Sequence, residues 1–275
     1  MSLPEGFRFS QSSLQDYVDC PRRFQLRYLE SQSWPGVHVE PVLEHEQHVY
    51  RGTRFHRLVE RHQLGMDVAL LAETVADDPD LQAWWRAYLD FDFLHDLEGA
   101  RYPELSLFTV VAGVPLMAMF DLVVVTPGGR VVIFDWKTYA RVPSRQWFAA
   151  RLQTRVYLYV MAAAGGRLLG YELDLDQISL IYCVVSQMDS FVVFDYSVAL
   201  FDGDRGYLSG LVSGVGARLD WLLTADEQLC RFCVYRSLCG RGVRSGNLLD
   251  ISNSHDNISD VVDFFVLGGV GEVGF

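Results

Sequence analysis

Residues 114–138 read VPLMAMFDLVVVTPGGRVVIFDWKT. Two apolar, β-branched runs flank the turn sequence Thr126-Pro-Gly-Gly129, so the stretch predicts paired strands over 114–125 and 130–135. Asp121 closes the run MAMF and Asp135 closes VVIF. Residues two apart on a strand share a face, so Asp135 and Lys137 point the same way and a neighbouring strand can bring Asp121 beside them. An unpaired charge at the end of an apolar run is costly, which favours a bound cation over an idle carboxylate. Two carboxylates at a hairpin end can hold a divalent ion, and a lysine beside them can orient or deprotonate a water. Lys137 is the only lysine among 23 basic residues.

Working outward, a strand over Glu104–Val111, joined through Ala112-Gly113, completes a three-stranded meander. The first hundred residues read mainly as helix. Ser12 and Ser13 are candidate caps for a helix carrying Leu14, Tyr17, Phe24 and Tyr28, interrupted at Cys20-Pro21. RGTRFHRLVERH, residues 51–62, sets Phe55, Leu58, Val59 and His62 on one stripe, and residues 81–98 form a second amphipathic pattern. After the meander come a helix over 144–164, strands over 178–185 and 191–196, and a helix near 206–223. There is no internal repeat and no glycine-rich phosphate loop.

Of the 275 residues half are hydrophobic, enough for a sizeable core. The N-terminus shows no export signal and no segment is apolar for about 18 residues, so a cytoplasmic protein without a membrane partner is expected. Five cysteines, an odd number, argue against a disulfide framework and for metal or cluster binding, with Cys183 in SLIYCVV a core residue. The net charge of -12 seems adverse to nucleic acid, but residues 136–171 lack any Asp or Glu and carry +6. Arg231, Arg236, Arg241 and Arg244 form a second acid-free run. Two such stripes suit a polyanion, and solvated helix faces explain them equally well. The acidic residues 246–275 are expected to be a disordered tail, set apart from a domain over 1–245.

The order of these residues resembles the PD-(D/E)XK nuclease superfamily, whose signature is Asp, a gap, then Asp or Glu, any residue, and Lys. RGTRFHRLVE is similar to the helical motif of RecB- and AddB-type nucleases, with His56 in the place of the metal-binding histidine. PELSLFTVVAGVPLMAMFDLVVV is similar to the strand pair leading to the first Asp, with Glu104 at its customary place; a metal role and an arginine partner are both open for it. QTRVY supplies Gln153 and Tyr157 of the Q-x-x-x-Y helix. DCPRRFQLRYL and CRFCVYRSLC match the layout of the iron-sulfur members, one cysteine early and three late.

The resemblance implies a restriction-endonuclease-like α/β fold, a central mixed sheet flanked by helices, with a helical iron-sulfur subregion joining the N- and C-terminal segments. It implies Mg2+ or Mn2+ held by His56, Asp121, Asp135 and the Trp136 carbonyl, with Lys137 handling water, and a 4Fe-4S cluster on Cys20, Cys230, Cys233 and Cys239. The implied substrate is DNA, single-stranded or at ends, contacted by Arg141, Arg145, Arg151 and Arg155. A helicase or a CRISPR adaptation protein is the implied partner. Ala118-Met119-Phe120 departs from the Gly and Arg that often precede the first Asp. A catalytically silent DNA-binding subunit and a structural or redox iron-sulfur protein are the rival readings.

Overall fold

The computed structural model describes residues 3–33, 42–139, 142–231 and 233–242. In chain order these form α1 (Gln11–Asp19), α2 (Pro21–Phe24) running into a π-helical turn (Gln25–Leu29), α3 (Val42–Gln63), α4 (Val68–Glu73), α5 (Pro79–Leu89) and α6 (Asp92–His95). Then follow β1 (Ala100–Val111), β2 (Val114–Val125), β3 (Val131–Lys137), α7 (Arg145–Ala150), α8 (Leu152–Leu169), β4 (Ile178–Val184), β5 (Val192–Asp195) and α9 (Val198–Ala217). The fold is α/β, with one five-stranded mixed sheet in the order β1-β2-β3-β4-β5.

β3 pairs antiparallel with β2 and parallel with β4, and β4 pairs antiparallel with β5. The parallel step needs a long crossover, which α7 and α8 supply. Central strands covered on both faces read as continuous apolar runs, as VVIFDW and ISLIYCV do. One core layer sets Phe55, Leu58 and Val59 of α3 and Trp85 and Tyr88 of α5 against Leu122, Val124, Phe134 and Trp136. Gly52 of α3 lies so close to the end of β3 that an added Cβ would stand 3.2 Å from Thr138 Oγ1.

Contacts divide the chain into two compact units, one of Met1–His48, Val110–Leu116 and Gly206–Phe275, the other of Val49–Thr109 and Met117–Arg205. In the first, the N- and C-terminal segments pack together: the Arg22 N–H donates to the Leu222 carbonyl at 3.2 Å, Arg218 Nε to the Tyr17 hydroxyl at 2.8 Å, and the Tyr235 hydroxyl to the Gln32 carbonyl at 3.0 Å. The second holds the sheet core and the acids and lysine singled out above. No described helix is long and apolar enough to cross a membrane. The acidic tail lies outside the described residues.

Several expected boundaries are corrected. Ser10, rather than Ser12 or Ser13, caps α1; its hydroxyl accepts the Ser13 N–H while the Ser13 hydroxyl accepts the Ser10 N–H, a reciprocal capping box. The helix expected over 81–98 breaks at Asp90–Phe91, and that over 144–164 is split by the extended Arg151 and runs on to Leu169. β1 starts four residues before Glu104. The last α-helix among the described residues is α9, not 206–223: Ser197 Oγ accepts the Leu200 N–H at its start, and Arg218 turns away to reach Tyr17.

Candidate active site

The described β2–β3 ladder runs from Val125↔Val131 to Leu122↔Phe134. Just past its last pair, Asp121 Oδ2 accepts the Trp136 N–H at 2.8 Å, so the carboxylate sits in the opening between the strands. α3 brings His56 Nδ1 to 3.4 Å from the same oxygen. Glu104 has φ 47, a left-handed conformation rare for a residue with a side chain, and this local bend in β1 accompanies its turn into the group. One donor atom each from His56, Glu104 and Asp121 lie within 4.8 Å of one another.

Asp135 stands beside this triad rather than in it. Lys137 Nζ is 3.0 Å from Asp135 Oδ1 and donates to Gln153 Oε1 at 2.9 Å, while Gln153 Nε2 donates to Asp135 Oδ2 at 2.8 Å. The three side chains close a ring in which the amide of Gln153 fixes both charged partners. One turn along α8, the buried Tyr157 hydroxyl bonds to Gln153 and its ring packs on Phe120 at 5.0 Å.

Burial pushes the Glu104 carboxyl up to about 7, with Asp121 adding and His56 opposing. Burial likewise takes Asp135 to about 7; Lys137 draws it back and Asp121 pushes it further. Asp121 itself is held below the usual carboxylate range, because His56 and the Trp136 N–H outweigh its burial. His56 is raised: burial opposes its charge, and Asp121 more than offsets that. Crowded carboxylates, Asp135 buried and Glu104 and Asp121 partly so, beside one imidazole are a donor set that a divalent cation relieves, oxygen-rich as Mg2+ and Mn2+ require.

Sequence reasoning missed Tyr182 and Thr154. Lys137 Nζ lies 5.8 Å from the Tyr182 ring, whose hydroxyl shares a 2.9 Å hydrogen bond with Thr154 Oγ1 and which stacks on Phe148 at 4.3 Å. A tyrosine in the middle of the fully buried β4 was the available signal. Cys183 lies in the core beside Trp136.

The arginines are less concentrated. Arg145 donates to the Val193 carbonyl and lies 4.4 Å over Phe194, and Arg151 lies 5.1 Å over Trp147. Arg155 pairs with Asp204 at 2.5 Å, where the Tyr196 hydroxyl also donates. Arg141 is outside the described residues. In the other unit, Cys20, Cys230, Cys233 and Cys239 are all free thiols, and Cys20 raises the pKa of the other three through its proximity, after burial. Arg23, itself buried, faces Cys233.

Residues 8–240 match a family described as the PD-(D/E)XK nuclease superfamily. No curated protein matches. Among solved structures, SSO0001 is 12% identical, with 87% of this chain and 88% of that one covered and a TM-score of 0.43. A candidate exonuclease from Eubacterium rectale is 10% identical, with 89% and 92% covered and a TM-score of 0.46.

Proposed function

Since this chain belongs to the PD-(D/E)XK nuclease superfamily, we propose that its acid and lysine cluster hydrolyses phosphodiester bonds of DNA, in single strands or at ends. The observation that carries this reading is the Lys137–Asp135–Gln153 ring closed beside the His56–Glu104–Asp121 group. His56, Asp121 and Asp135, with Glu104 and the Trp136 carbonyl, would hold Mg2+ or Mn2+, which supplies Lewis-acid stabilisation of charge on the phosphate. Lys137 orients the attacking water and exchanges a proton with it. Gln153 keeps the ammonium and the Asp135 carboxylate in register, and Tyr157 holds Gln153. Arg151 on Trp147, and Arg141, Arg145 and Arg155, are assigned to the DNA backbone.

Labelled single- and double-stranded DNA incubated with the full chain tests this. Cleavage is expected with Mg2+ or Mn2+ and none with EDTA. Binding without cleavage under every metal condition would instead make the protein a silent DNA-binding subunit.

The four thiols support a finer reading, a member of the RecB- and AddB-like iron-sulfur nucleases in which residues 1–245 act as one domain. Four thiolates are the ligand number of a 4Fe-4S cluster, and the buried Arg23, itself paired with Asp16 and Asp19, lowers the Cys233 thiol against its burial. Its setting would be repair, recombination or CRISPR adaptation, beside a helicase or an adaptation protein. Protein purified without oxygen should be brown and carry about four irons per chain. Stoichiometric zinc in a colourless preparation would refute the cluster.

A further inference from the structure

We propose that the exposed apolar face of β1 and β2 next to the acid cluster, carried by Phe108 and Met119, is a stacking platform for the bases of single-stranded DNA entering the site. The proposal rests on the nuclease reading for its ligand class and adds what selects a single strand.

Burial alternates along β2 toward Asp121. Ala118 and Phe120 are buried, while Met117 is half-buried and Met119 is 52% exposed, on the same side of the strand as Asp121. Across the hairpin, Phe108 is 63% exposed on β1, which is an edge strand of the sheet. The turn residues Ala112 and Gly113 both have positive φ, as in a two-residue hairpin loop, and this register sets Phe108 opposite Met117. At roughly 3.4 Å per residue, Met119 stands about 7 Å and the Phe108–Met117 pair about 14 Å from Asp121 along the strand, a few nucleotides away.

The chemistry of this surface chooses among the parts of a nucleic acid. Residues 105–111 and 114–120 contain no charged side chain, and the first charges met along the two strands are Glu104 and Asp121. These strand residues offer no cation to a phosphate, whereas an aromatic ring flanked by thioethers suits the π-face of a base. In a duplex those faces are stacked on one another and the outside is phosphate. An unpaired strand alone presents what Phe108 and Met119 can hold.

The test compares the full chain with Phe108→Ala and Phe108→Trp, reading affinity by fluorescence anisotropy with Ca2+ present. Phe108→Ala should weaken oligothymidine binding roughly 10-fold, Phe108→Trp should retain it, and blunt duplex should bind as before. Equal affinity in all three proteins, or an equal loss on duplex, overturns the platform. So does a dimer that becomes a monomer in Phe108→Ala with single-strand binding unchanged, which would make this face a contact between copies. The two readings fail separately: expected anisotropy without cleavage by the wild type removes the nuclease, and cleavage with an unaltered Phe108→Ala affinity removes only the platform.

Discussion

Lys137→Arg should cleave DNA roughly 100-fold or more slowly than the wild type, and Lys137→Ala should do no better, the scale expected when a positioned proton-transfer group is lost. On charge alone the arginine variant is harmless, since every other basic residue of the chain is arginine. The geometry says otherwise. Nζ makes two short contacts in directions set by the Asp135 and Gln153 side chains, and the lysine side chain is only 12% exposed. A planar guanidinium cannot occupy that point without displacing one partner, and it does not release a proton in a protein. Affinity for DNA should survive in both variants. Initial rates and anisotropy on the same preparations check this, and near-normal cleavage by Lys137→Arg would move the chemistry away from this lysine.

Asp121→Asn is expected to lower Mn2+ affinity by at least about 100-fold, beyond the 10- to 100-fold typical of residues that only support a ligand, and to abolish cleavage with it. The asparagine oxygen can still accept the Trp136 N–H, so the opening between β2 and β3 should keep its shape. What disappears is the negative charge that raises His56 against its burial, so His56 should also titrate lower than in the wild type. Mn2+ titration followed by electron paramagnetic resonance, with a thermal melt to verify folding, reads the outcome. Undiminished Mn2+ binding would exclude Asp121 as a ligand.

How much of this was legible depended on the range of each interaction. The strand period placed Asp135 and Lys137 on one face and the helical period placed Gln153 and Tyr157 one turn apart, because both relations are local. The approach of Asp121 to the Trp136 N–H needs two strands to part at one residue, which a hydropathy pattern does not encode. Glu104 was ambiguous because its position depends on a left-handed backbone that no propensity assigns to glutamate. Charge counted along the chain could not show that Arg155 pairs with Asp204, which lies 49 residues later. The start of α9 was masked by Gly203, Gly206 and Gly210, poor helix formers that are accepted because tertiary contacts hold the helix.

Gly52 gives the site a dependence on an atom that is missing. A methyl group there would force a few tenths of an ångström between α3 and Thr138, and His56 lies one turn further along the same helix. A Gly52→Ala allele should therefore shift the imidazole relative to Asp121 while every ligand residue remains in the sequence. Populations carrying it would show a graded loss of turnover with an intact catalytic signature, and a census of related genes based on that signature alone would count such copies as fully active.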